Sequence, residues 1–97
     1  MKIRWTERAL EDLTSIGRYI GRHDREAARR LVSRLRLSVR RLKDYPYSGR
    51  VVPEFEREEL REVLEGSYRV VYQVDEEGIL IVSVFESHRL FPEEEKE

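Results

Sequence analysis

The residue that most invites a chemical reading is Arg69, set inside the strand-like stretch "YRVVYQV" where another valine would serve. Side chains alternate along a strand, so Tyr68, Val70, Tyr72 and Val74 share one face, and Arg69, Val71 and Gln73 the other. If helices cover the tyrosine face, Arg69 looks out from the open side of a sheet. With Arg61 on a neighbouring strand and Arg89 after the last one, it would make a concave anion site. A guanidinium suits that task because it forks onto carboxylate or phosphate. A solvated sheet face, with Arg69 paired to Glu62 across a hairpin, accounts for the same residues without chemistry.

Other chemistries are quickly set aside. The 97-residue chain has no cysteine, which removes disulfides, thiolate metal sites and a cysteine nucleophile. Its only histidines are His23 and His88, too few for a multi-histidine metal site, and neither a glycine-rich phosphate loop nor HExxH occurs. No cofactor or metal is expected. Glu54, Glu56, Glu58 and Glu59 read as a solvated connecting segment rather than a divalent-ion site.

Charged residues make up 40% of the chain, and their placement says more than the net charge of −1. Nine arginines lie between Arg18 and Arg41, against two acids, Asp24 and Glu26. The tail "EEEKE" carries a net −3, so the rest of the chain stands at +2. On the second helix Arg29, Arg36 and Arg40 share roughly one side. They form either a solvated face or a surface for a polyanion or an acidic protein segment. Abundant Arg and Glu, no Asn and a single Gln (Gln73) are compatible with a heat-adapted source.

The elements that must position these groups are legible as periodicities. "KIRW" reads as a first strand. Thr6 can cap a helix in which Trp5, Ala9, Leu13, Ile16 and Ile20 recur at helical spacing up to Gly21. Asp24 can cap a second, carrying Ala28, Leu31, Leu35, Val39 and Leu42. "YPYSGR" (45–50) reads as a loop. Three strands follow, "LREVL" (60–64), "YRVVYQV" (68–74) and "ILIVSVF" (79–85), with connections short enough for antiparallel pairing. The expected fold is α+β, an N-terminal strand and a helical hairpin packed on a small antiparallel sheet. A single domain over 1–92 is expected, followed by an acidic tail, 93–97, expected to be disordered. Without a signal-peptide core or an apolar run of about 20 residues, a cytoplasmic protein with no membrane contact is expected.

The segments "WTERALEDLTSIGRYI", "AARRLVSRL", "YPYSGRVVPEF", "LREVLEGSYRVVYQV" and "VFESHRLFP" resemble, in order and spacing, toxins of the RelE/ParE superfamily. These are the toxic halves of type II toxin–antitoxin pairs, including plasmid-stabilisation modules. The resemblance implies a helical hairpin on a small antiparallel sheet and a cognate antitoxin as partner. That antitoxin is expected to fold its C-terminal segment across the hairpin and sheet edge, meeting Arg29, Arg36 and Arg40.

Two activities occur in that superfamily. RelE-like members cleave mRNA on the ribosome without metal, with basic residues on the open sheet face and a late Tyr or His. ParE-like members poison DNA gyrase. Arg69 matches the strand arginine of the nuclease branch, and Arg61, His88 and Arg89 would complete a catalytic set. The lysines of the preceding strand and the late tyrosine have no match, because the only lysines are Lys2, Lys43 and Lys96 and no tyrosine follows Tyr72. The ending "VFESHRLFP" is ParE-like, with Glu86 where many members have histidine. A gyrase poison is therefore the favoured expectation; an mRNA endoribonuclease and a detoxified antitoxin-binding module are the alternatives.

Overall fold

The computed structural model describes residues 1–87. In chain order it contains β1 (Ile3–Trp5), α1 (Glu7–Gly21), α2 (Arg25–Arg41), β2 (Arg50–Val51), β3 (Leu60–Glu65), β4 (Tyr68–Asp75) and β5 (Gly78–Glu86). Both helices start where a capping side chain is available. Thr6 Oγ1 accepts from the Ala9 amide and Asp24 Oδ1 from the Ala27 amide, each at 3.0 Å. The five strands form one sheet in the order β1-β5-β4-β3-β2. Pairing from β2 through β5 is antiparallel, as the short connections require. β1 lies parallel to β5, with Ile3 opposite Ile79 and Trp5 opposite Ile81. The helical hairpin followed by β2, β3 and β4 separates the two, a connection long enough for a parallel pair.

The main core lies between the hairpin and one sheet face. Ala9, Leu13, Leu31, Leu35, Val39 and Leu42 pack on Val70, Tyr72, Val74, Ile79, Ile81 and Val84. The helix positions and Val70, Tyr72 and Val74 are those marked by the helical and alternating periodicities. Burying one leucine such as Leu35 contributes about 1.5–3 kcal/mol. Polar ties fix the helices in register. Ser38 Oγ donates to Glu65 at 2.6 Å, and Asp12 on α1 accepts from the Ser83 hydroxyl and the Val84 amide, both at 2.9 Å. Thr6 Oγ1 also donates to the carbonyl of Val82, the extra residue of β5 where its register against β4 slips between Val71 and Tyr72.

The second sheet face departs from expectation. Val52, Leu60, Val71 and Phe85 form a smaller core there, joined by Phe55 and Val82. The segment after β2 folds over this face, so Arg69 and Val71 are buried instead of open to solvent. β2 itself begins at Arg50, the last residue of the stretch read as a loop. Two residues are too few to show an alternation, which is why the sequence pattern missed it. Among the described residues no helix is long and apolar enough to cross a membrane.

Candidate functional site

Arg69 sits on β4, and its neighbours occupy every edge of its guanidinium. Nε donates to Glu62 Oε1 at 2.6 Å; Nη1 and Nη2 donate to the two oxygens of Glu54 at 3.0 and 2.8 Å. The Phe85 ring lies beneath, its centroid 4.9 Å from the guanidinium carbon. Glu62, on β3, is fully buried and receives a second guanidinium on Oε2, from Arg50 Nε at 2.6 Å. The result is an Arg50–Glu62–Arg69–Glu54 chain of charge-assisted bonds, neutral in sum. The Glu54 carboxylate, then Glu62, push the Arg69 pKa above its ordinary value against the effect of burial.

This arrangement corrects two expectations. Glu54 is not part of a solvated acidic segment; its side chain is 15% exposed and closes over Arg69. Arg61 and Arg69 do not share a site. Arg61 pairs with Tyr72 and Glu62 with Val71 across the hairpin, so Arg61 lies on the opposite face. The pairing of Arg69 to Glu62, by contrast, is as the cross-strand geometry predicts.

Arg61 instead fastens the loop after α2. It donates to the Gly49 carbonyl at 3.0 Å and to the Glu58 carboxylate at 2.7 Å, with its guanidinium 4.9 Å from the Tyr47 ring centroid. Tyr72 holds the same loop from inside: its hydroxyl donates to the Pro46 carbonyl at 2.7 Å and accepts from the Gly49 amide at 3.0 Å. Tyr45 and Tyr47 are thereby presented on a braced loop while remaining largely exposed. Burial raises the Tyr72 pKa above its ordinary value of 10, although the Gly49 bond and the charge of Arg61 oppose the rise. A raised pKa in the folded state means that stability is complete below the ordinary value and falls as pH climbs through the raised one. Tyr72→Phe is therefore expected to cost about 1–3 kcal/mol at neutral pH, by leaving the Gly49 and Pro46 groups unpaired. The gap from the parent protein should narrow above pH 10, measured by urea unfolding across the alkaline range.

Of the arginines expected on one side of α2, Arg36 lines one groove with Arg29 and another with Arg40. Arg29 pairs with Glu26 on its own helix, whereas Arg36 lies over the Trp5 ring and lines a cleft with Arg40. Glu86 ends β5 in a groove with Tyr19 and Tyr68. Burial, then the Glu86 charge, raises the Tyr68 pKa. His88 and Arg89 lie outside the described residues. Among the described residues no group of three or more His, Cys, Asp or Glu is placed to hold a metal ion.

Sequence reasoning missed Glu54, Arg50 and the Tyr72 clasp. The available signal was "VVPEF", an apolar run around one acid, which is unusual for a solvated loop and fits a segment that covers a sheet.

Residues 3–91 match the family described as the ParE toxin of the type II toxin–antitoxin system, parDE. The chain is 36% identical to the Y4kP protein of Sinorhizobium fredii, covering 95% of this chain and 94% of that one. It is also 36% identical to Toxin RelE2 of Caulobacter vibrioides, covering 92% and 98% respectively. Among solved structures, the fold matches the chromosomal ParDE system of P. aeruginosa with a TM-score of 0.75. That match covers 89% of this chain and 95% of that one at 24% identity. The isolated E. coli RelE toxin follows at a TM-score of 0.60, 97% and 92% coverage, and 20% identity. At these identities the structures speak for the fold alone, while the family match spans nearly the whole chain. The chain belongs to the ParE toxin family of type II toxin–antitoxin systems.

Proposed function

We propose that this toxin poisons DNA gyrase without catalysing a reaction of its own, and that an antitoxin encoded beside it keeps it neutral. The observation that carries the first half is the enclosure of Arg69. A phosphate-holding arginine must offer its forked edge to the substrate, and here Glu54 occupies that edge from both Nη groups. Displacing Glu54 would break both of its bonds to Arg69 in a largely buried setting, a penalty the incoming phosphate would have to exceed. Arg61, the other half of the expected nuclease pair, lies on the far face of the sheet. The antitoxin half is supported by family membership and by the fold shared with solved ParDE and RelBE systems.

The test is a supercoiling and cleavage assay with purified gyrase. Micromolar toxin should inhibit supercoiling and accumulate cleaved DNA, and the neighbouring antitoxin should relieve both. Supercoiling left untouched at micromolar excess would overturn the gyrase reading. The identity to a protein named RelE2 supports a second reading, cleavage of ribosome-bound mRNA. On that reading transcripts would be cut at codon positions during translation, and Arg69→Ala would abolish cutting in a folded protein.

A further inference from the structure

We infer that the outer side of α2 is a docking surface for the phosphate backbone of duplex DNA. The helix repeat places Arg25, Arg29, Arg36 and Arg40 within about 60° of one another, on a line about 22 Å long. All four are exposed, and two grooves that share Arg36 join them into one face. Lys2 and Lys43 extend it at the Arg40 end. The two grooves are thus lined by six cations and, among the described residues, by no acid. Of the six, only Arg29 is in an ion pair among the described residues, and its partner Glu26 is an exposed neighbour on the same helix. Such exposed pairs hold weakly. Arg30, Arg34 and Arg41 lie on roughly the opposite side of α2, where Arg34 reaches Glu65 at 3.5 Å.

The spacing fits a duplex better than an acidic polypeptide. The stripe is two pairs of arginines, about 6 Å apart along the axis within a pair and about 10 Å between pairs. B-DNA carries its phosphates on two strands that flank a major groove about 12 Å wide, so one pair can reach each rim. The groove lined by Arg25, Arg29 and Arg36 has Gly17, Gly21, Ala28, Val32 and Ser33 for its floor. None of these is an aromatic anchor of the kind that dominates protein interfaces. Trp5, the one aromatic of the neighbouring groove, lies under the Arg36 guanidinium. Phosphates are the same in every sequence, so binding through them carries no base preference. The chain's net charge is −1, so affinity for DNA has to come from this local concentration of arginine.

The inference rests on the gyrase reading proposed above only for the source of the DNA. On that reading the duplex is the segment that gyrase holds, and the toxin touches both the enzyme and its substrate.

The test titrates the full chain into a fluorescein-labelled DNA duplex of about 30 base pairs, read by anisotropy from about 50 to about 200 mM salt. Binding should saturate, be equal for two unrelated sequences, and fall with salt at a logarithmic slope of about −4 to −5, near −0.9 for each phosphate neutralised. Arg25→Gln with Arg29→Gln, and separately Arg40→Gln with Lys43→Gln, should each weaken binding by about tenfold or more and flatten the slope by about 2. Arg30→Gln with Arg41→Gln removes the same charge from the opposite side of the exposed helix and should change affinity by less than about threefold. An equal loss in that control pair would overturn the inference, because it marks diffuse charge. So would the absence of saturation up to about 100 μM protein at the lowest salt, the weak limit of ordinary non-specific binding. Unlabelled polyglutamate or an RNA duplex that displaces the probe at lower concentration than unlabelled DNA would also overturn it, marking a surface for acidic protein or for RNA. Gyrase supercoiling separates the two claims. Stripe-dependent DNA binding with supercoiling untouched keeps the inference and removes the gyrase reading; inhibited supercoiling without DNA binding does the reverse.

Discussion

Arg69→Ala should lower the free energy of unfolding by about 3–5 kcal/mol, the range found when one partner of a buried ion pair is removed. Two carboxylates depend on this guanidinium. Glu62 is fully buried and would keep only Arg50, and Glu54 would lose the two bonds that close its segment over the sheet. The Phe85 ring would lose the cation stacked above it. Arg69→Lys should recover little, because one ammonium cannot span Glu62 and both oxygens of Glu54. Replacing the network together, Arg69→Met with Glu62→Leu and Glu54→Gln, should recover much of the loss. Urea unfolding of the three variants checks the order. Toxicity should follow the folded fraction. An Arg69→Ala protein of parental stability that has lost toxicity would instead place Arg69 in the chemistry and return the weight to mRNA cleavage.

Gly78→Ala is expected to cost about 2–4 kcal/mol and to detach β1 from the sheet. Gly78 adopts φ 137°, a conformation closed to residues with a Cβ, and that Cβ would fall 2.2 Å from the Lys2 carbonyl oxygen. The same oxygen accepts from the Ile79 amide at 2.8 Å, so relief of the clash breaks the first bond between β1 and β5. Gly66→Ala is the control. It also sits at positive φ, 59°, but nothing lies within 4 Å of an added Cβ, and a cost near 1 kcal/mol is expected. Thermal melts of both variants, with amide exchange at Thr6 and Ile79, whose N–H groups bond between β1 and β5, separate strain in a turn from loss of a strand. Gly78→Ala with parental exchange at those amides would refute the account.

The parts of this structure written in local periodicity were legible in the sequence. Thr6 and Asp24 cap the helices they were expected to cap. Leu31, Leu35, Val39 and Leu42 face the core their spacing implied, and the three long strands lie within a residue or two of their apolar runs. What escaped depends on contacts between distant segments. A parallel first strand cannot be told from an antiparallel one by composition, since both are short apolar runs. The enclosure of Arg69 needs Glu54 brought across from another segment, and "EFEREE" has the composition of a solvated loop. Alternation correctly put Arg69 opposite Tyr72's face but could not say what would cover it. The charged network is for the same reason the least predictable part of the site.

One bond within the fold has a consequence for how the toxin comes into being. The hydroxyl of Thr6, which starts the first helix, is held by the carbonyl of Val82, 76 residues further along. The first strand likewise has no partner until β5 is made. A growing chain can therefore form its helical hairpin early, but the sheet cannot close before almost the whole sequence has been synthesised. Contacts of such long separation fold slowly, on the order of milliseconds to seconds. During that interval the cell holds an unfinished molecule whose β1 edge is not yet assembled.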